Sequence, residues 1–218
     1  MMSRDDTRGV ETEFEPASRG RVLRNLLGIR SVREMSHAES AALVHVQEQL
    51  VDLFSPDHCF SAFDICAMHR AWLGHIYPWA GQYRTVQIAK GDFPFAAAGQ
   101  VPRLMINFEH QVLQRHTPCR HTNHDEIAGS LAIVHAELIL IHPFREGNGR
   151  CARLLALLMG LQADLPPLDF GGQSGRGRRD YIAAIHAAMG SDYSPMTAIF
   201  RAVIRRSLRQ HTRQPQSG

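Results

Sequence analysis

With 218 residues, 44% of them hydrophobic and 21% charged, the chain is long and apolar enough to bury a sizeable core as one domain. A formal charge of only +3 argues against a dedicated polyanion binder, and the composition argues against disorder. The four cysteines, Cys59, Cys66, Cys119 and Cys151, form no CxxC pair, so free thiols in a reducing cytoplasm are expected. The first 21 residues lack an apolar h-region, which predicts no secretory signal, and no run approaches the ~18 uncharged residues of a membrane span.

In chain order, residues 1–20 are polar and aperiodic and read as a loose tail. Helical patterning is expected from Val22, first over "RVLRNLLGI" and then over a long helix. Ala41, Ala42, Val44, Val46, Leu50, Leu53 and Phe54 form an imperfect apolar stripe on that helix. Ser55 to Asp57 break it, and a further helix is expected from about Ser61. "PWAGQYRTVQIAKGDFPF" changes character: Val86 and Ile88 alternate with polar residues, and Lys90-Gly91-Asp92 has turn chemistry, which predicts a short β-hairpin. Helices resume after Gln100.

The strongest helical segment opens at Asn123, a candidate cap, with Glu126 at the spacing of a capping box. Ile127, Leu131, Val134, Leu138 and Ile141 then mark one buried face. "CARLLALLMGLQA" is apolar on nearly every side, which predicts a central helix stopped by Pro166-Pro167. "FGGQSGRGRR" reads as a flexible basic loop, followed by two helices over "DYIAAIHAAM" and "SPMTAIFRAVIRRSLRQ" and a loose end. The expected fold class is all-α with one hairpin.

Between the two apolar helices lies "IHPFREGNGRCAR", Ile141 to Arg153, the most polar cluster in the core region. Gly147 and Gly149 allow close backbone approach at a helix N-terminus, which is an anion site. Arg150 and Arg153 fall three residues apart on its first turn, and guanidinium forks suit phosphate. Glu146 suits Mg²⁺, which commonly bridges one carboxylate to substrate phosphates. His142, the one group there with a pKa near neutrality, suits a general base. Each piece alone is ordinary; together, wedged between buried helices, they predict a Mg²⁺-nucleotide site for phosphoryl or nucleotidyl transfer. A His135–His142 metal pair lacks a third ligand at suitable spacing. The C-terminal arginines Arg201, Arg205, Arg206, Arg209 and Arg213 lack interleaved aromatics, which argues against nucleic-acid binding.

The run from His142 to Arg153 resembles the HPFx[D/E]GNGRxxR signature of the Fic/Doc (Fido) family at every specified position. Tyr77 to Phe95 resembles the family's segment leading into its flap, and Val22 to Ile29 is similar to the N-terminal region of bacterial toxin-type members. The resemblance implies a helical Fido bundle with a hairpin flap, and a protein adenylyltransferase moving AMP from Mg-ATP to a Ser, Thr or Tyr hydroxyl. It implies His142 as base, Glu146 as Mg²⁺ ligand, Gly147, Asn148 and Gly149 as anion hole, and Arg150 and Arg153 on the outer phosphates. The flap, about Gln87 to Phe95, would align the target by strand addition; Lys90 and Gly91 at its turn, and Tyr181 at the adenine, would reach the nucleotide. Gly149 stands where kinase-type Doc members have Lys, so attack at the α-phosphate is expected. UMP, phosphate or phosphocholine transfer through the same cradle is the alternative.

Thr7…Glu11 and Thr122…Glu126 only partly match the family's inhibitory [S/T]xxxE[G/N] motif, which implies a separate antitoxin-like inhibitor reaching Arg153, with a degenerate copy over Thr7 to Thr12 as the alternative. The expected layout is a flexible tail over 1–20, a helical extension over 21–63, the Fido domain over 64–205 and a flexible tail over 206–218. A bacterial cytoplasmic toxin is the expected setting, and export as an effector is compatible with it.

Overall fold

The computed structural model describes residues 10–90, 93–171 and 175–213. Its helices are α1 (Val32–Leu53), α2 (Ala62–Leu73), α3 (Val101–Phe108), α4 (Gln114–His116), α5 (His124–Ile141), α6 (Asn148–Gln162), α7 (Gly175–Ala188) and α8 (Ser194–Arg213), with a π-helical stretch at Glu109–Leu113 joining α3 to α4. The strands β1 (Ala89–Lys90) and β2 (Phe93–Pro94) pair antiparallel, Ala89 opposite Pro94 and Lys90 opposite Phe93. The fold is all-α with one hairpin, as the patterning predicts. The hairpin is shorter than the alternation suggested, because Val86 and Ile88 precede the paired residues.

α5 is the centre, packed by α8, α6, α7 and α3. Ala128, Ala132, His135, Ala136 and Ile139 are buried alongside the residues of the expected face, so α5 is covered on almost every side. Asn123 caps it, its side chain accepting from the Asp125 N–H, while Glu126 turns to His121 (3.3 Å) rather than closing a capping box. α2 does carry a capping box, between Ser61 and Asp64. The buried line of α1 is Met35, Glu39, Val46 and Leu50, whereas Val44 and Leu53 are exposed. The stripe looked imperfect because Ala41, Val44 and Leu53 lie off the buried face.

Several expectations at the chain ends do not hold. Residues 11–20 are anchored rather than loose: Glu11, Glu15 and Ser18 are buried, and Phe14 bridges Leu23. Val22 to Ile29 is not helical. Asn25 Oδ1 accepts from the N–H groups of Leu27 (3.1 Å) and Ile29 (3.0 Å), and its amide donates to the Leu23 and Ile29 carbonyls. That side chain offers the backbone bonds a helix would otherwise supply. α7 begins at Gly175, inside the expected basic loop, and α8 continues to Arg213, with Ser207 buried between the Val203 carbonyl and the Asp169 N–H. Thr7 lies outside the described residues. No described helix is long and apolar enough to cross a membrane.

Candidate active site

His142 closes α5 in the left-handed conformation (φ 52°, ψ 61°), uncommon for a residue other than glycine. The chain thereby leaves the helix with the imidazole lining a cavity of about 740 Å³. Nδ1 lies 3.0 Å from the Ile139 carbonyl. A carbonyl can only accept, so the proton sits on Nδ1 and Nε2 keeps its lone pair. Burial pushes the pKa down to about 4; the Ile139 carbonyl opposes this, and the charges of Arg84 and Lys90 add to it. The ring stacks on Phe95 with centroids 3.6 Å apart. At neutral pH His142 is therefore an uncharged ring with a basic Nε2.

The loop that follows is held from inside. The Asn148 amide oxygen accepts from the Phe144 N–H (2.8 Å), and its NH₂ donates to the Phe144 carbonyl (2.7 Å). Fully buried Phe144 stacks on His69 at 3.8 Å. His69 Nε2 donates to the Glu146 carbonyl (3.0 Å), and its Nδ1 accepts from the Gly81 N–H (2.9 Å). Gly147 precedes α6 at φ 83°, and a Cβ there would lie 2.8 Å from Cζ3 of Trp72, so both backbone and space require glycine. Asn148 side-chain atoms are thus committed to the loop, and an anion cradle here is made of backbone N–H groups at the start of α6. Asn148→Ala is expected to cost about 2–4 kcal/mol, since it leaves a buried N–H and C=O without partners; urea denaturation measures it.

Glu146 is half-exposed on the cavity wall, with Oε1 accepting from the Gly147 N–H (2.9 Å) and facing Arg150 at 3.4 Å. Arg150 also lines the cavity, but its guanidinium bonds Glu39 (2.8 Å) and lies 4.7 Å over the Trp72 ring. Glu39 in turn accepts from the Tyr77 hydroxyl (2.7 Å), and its carbonyl accepts from the Trp72 indole (2.8 Å). Arg153 lines the same cavity, and burial lowers its pKa. A second cavity of about 530 Å³ reaches both arginines from Leu43 and Gln47 of α1 and from Phe170 and Gly171.

The flap supplies Ile88, Ala89, Lys90, Phe93 and Phe95 to the cavity, and α7 faces it with Tyr181, Ile182, Ile185 and His186. Phe93 stacks on His186 (4.9 Å) and meets Phe95 edge-on, so flap and α7 touch across the mouth. Tyr181 is bonded to the ring of buried His135 (2.8 Å). Gly91 lies outside the described residues. Gly149, Lys90 and Tyr181 all line the cavity, so nine of the ten residues singled out from the sequence converge on it. Three partners were not singled out in advance, Arg84, His69 and Glu39, while Glu11, noted only in a partial inhibitory motif, bonds Thr85.

A Mg²⁺ ion fits this donor set in one way only. Among the described residues no group of three or more His, Cys, Asp or Glu could form a protein cage. One cavity-facing carboxylate, Glu146, suits an ion that keeps its waters and takes further oxygens from phosphates.

Residues 59–159 match the model of the Fic/DOC family. This segment is similar to the Fic/DOC family. It spans α2 to α6 and contains the whole His142–Arg153 loop, with the flap inside it. The chain is 34% identical over 139 residues to a protein adenylyltransferase, fic-1, of Caenorhabditis briggsae, an alignment covering 63% of this chain and 26% of that protein. It therefore spans about a quarter of the length of the curated relatives it matches. The N-terminal Fic domain of a Bartonella effector protein from Bartonella sp. AR 15-3 superposes with a TM-score of 0.71 at 18% identity, covering 100% of both chains. Fic-1 (residues 134–508) from C. elegans gives a TM-score of 0.66 at 28% identity, covering 84% of this chain and 52% of that one. Both superpositions extend beyond the Fic/DOC segment at either end, so the flanking helices share the fold as well.

Proposed function

We propose that this protein is an adenylyltransferase that moves AMP from Mg-ATP to a hydroxyl of a protein target, in a bacterial cytoplasm and as a toxin with a separate inhibitor. The single observation that carries the reading is the geometry of His142: neutral, protonated on Nδ1, with a basic Nε2 lining the cavity that also holds the α6 N-terminus and both motif arginines. The 34% identity to a named protein adenylyltransferase supports it.

In this reading His142 Nε2 takes the proton of the acceptor hydroxyl as its oxygen attacks the α-phosphorus, and pyrophosphate leaves. The N–H groups opening α6 and the Arg150 and Arg153 guanidinium groups balance the charge on the phosphates. Glu146 would hold Mg²⁺ together with the nucleotide, and the ion would supply charge neutralisation at the phosphates. Tyr181, Lys90 and Gly91 are assigned to the nucleotide, and the flap edge to the target's backbone. The second cavity gives an inhibitor's carboxylate a path to Arg153 from outside, beside α1.

Incubation with α- or γ-labelled ATP and a lysate tests the reaction. Protein label from α-labelled ATP alone is the expected result, and label from γ-labelled ATP alone would overturn it. Glu146→Ala is expected to lower the rate by about 100-fold with Mg²⁺ present. Rates measured over a Mg²⁺ titration check this, since a Glu146→Ala protein with wild-type Mg²⁺ dependence contradicts the assignment.

A further inference from the structure

We propose that Arg84 is the positioning residue that ties the flap to His142, holding base and flap as one unit. Arg84 is 2% exposed, among the largest fully buried side chains of the protein. Its guanidinium reaches carbonyls from three places. Nε donates to His142 (2.7 Å) and Nη2 to Ile141 (3.4 Å), at the end of α5. Nη1 donates to Val86 (2.8 Å), before β1, and Nη2 to Ala96 (2.5 Å), after β2. Its own N–H donates to the Pro143 carbonyl (2.8 Å). One side chain thus holds both feet of the hairpin and the C-terminus of the helix that carries the base.

The chemistry requires arginine. The last carbonyls of an α-helix have no intrahelical donor, and a cation there also meets the negative end of the helix dipole. Four carbonyls in three directions match a planar fork of five donors; a lysine ammonium has three donors on one atom. The left-handed turn at His142 needs such a restraint, because its carbonyl would otherwise be free to rotate the ring away from the cavity. Behind Arg84, Glu11 accepts from the Thr85 N–H (2.8 Å) and the Thr85 hydroxyl, and the Glu11 carbonyl accepts from Arg145 Nε (3.0 Å). The anchored N-terminal segment therefore buttresses this one residue from outside.

The kinetic part of the inference rests on the AMP-transfer reading; the structural part does not. Arg84→Lys keeps a charge but loses the fork. It is expected to lower AMP transfer from α-labelled ATP by about 100-fold while ATP affinity stays within about twofold, as displacement of a reacting group does. Transfer within about threefold of wild type would overturn the proposal. Arg84→Gln removes both charge and fork. The His142 ring, followed by nuclear magnetic resonance, is expected to titrate above the wild type's value of about 4. The Phe95 amide, which donates to the Ile88 carbonyl across the flap, is expected to exchange about tenfold faster. An unchanged ring titration together with unchanged Phe95 exchange would overturn the proposal. If neither variant folds, the wild type still decides: the Arg84 Nε–H should be protected from solvent exchange, and fast exchange contradicts the tie. Should wild type transfer no AMP at all, the functional reading fails while these resonance measurements still judge Arg84.

Discussion

His142→Ala is expected to lower AMP transfer by about 10³–10⁴-fold while ATP affinity stays within a few-fold of wild type. The size follows from what the side chain does and what it leaves alone. A positioned base with the correct tautomer contributes its full share only if the lone pair faces the reacting proton, and the Ile139 carbonyl enforces that by holding the proton on Nδ1. The groups assigned to the phosphates are the α6 N-terminus, Arg150 and Arg153, and Arg150 is anchored by Glu39. Alanine loses the ring and its stacking on Phe95 but keeps the carbonyl that Arg84 holds. Labelling rates and an ATP titration on the same preparation check both halves. Retained transfer would remove His142 as base, and lost ATP affinity would make it a nucleotide contact.

The folded protein is expected to lose stability steeply between pH 6.5 and about 4, because three histidines are buried in neutral form. His69, His135 and His142 each have a pKa pushed down to about 4, with burial the largest cause in all three. In the unfolded chain each ring protonates near 6.5. Within that window the unfolded state binds more protons, so acid pulls the equilibrium toward it. The stability these rings protect is fully present above pH 6.5, falls as pH drops, and is gone below about 4, where both states are protonated. At about 1.4 kcal/mol per unit the loss is on the order of 3 kcal/mol for each ring, comparable in sum with the whole stability of a small domain. Urea midpoints at pH 7.5, 6 and 5 measure it, and a midpoint that stays level over that range contradicts the burial. His69→Gln separates one contribution. It should flatten the profile while weakening the loop, since His69 joins the Glu146 carbonyl to the Gly81 N–H.

The sequence carried the active-site loop almost complete, because its residues are contiguous and their spacing is read on one helix end and one helix start. The α5 face was readable for the same reason: an apolar period needs no partner to be seen. The supports were not readable. Arg84 bonds His142 across 58 positions, His69 bonds Glu146 across 77, and Glu39 bonds Arg150 across 111. Each stands as a single polar residue in an otherwise ordinary segment, and only packing shows that it faces the loop. The N-terminal segment misled for the opposite reason. Its carboxylates look solvated in a polar stretch, yet Glu11 and Glu15 are buried and bonded to backbone N–H groups of Thr85 and Asn25. Val22 to Ile29 has helical composition, and Asn25 overrules it by taking the local backbone bonds itself.

Glu39 also changes what the two motif arginines are expected to do. With Arg150 held between Glu39 and the Trp72 ring, its position is set before any nucleotide arrives. Such pre-organisation lowers the ordering cost at binding.

The most direct test of AMP transfer is the mass of the adduct on the acceptor. A lysate treated with wild-type protein, ATP and Mg²⁺, compared with one treated with His142→Ala, would be digested and its modified peptides sequenced by mass spectrometry. Peptides heavier by one AMP moiety on a Ser, Thr or Tyr hydroxyl are expected with wild type and not with His142→Ala. An adduct of phosphate, UMP or phosphocholine on those peptides, or an AMP adduct formed equally well without His142, would contradict this expectation.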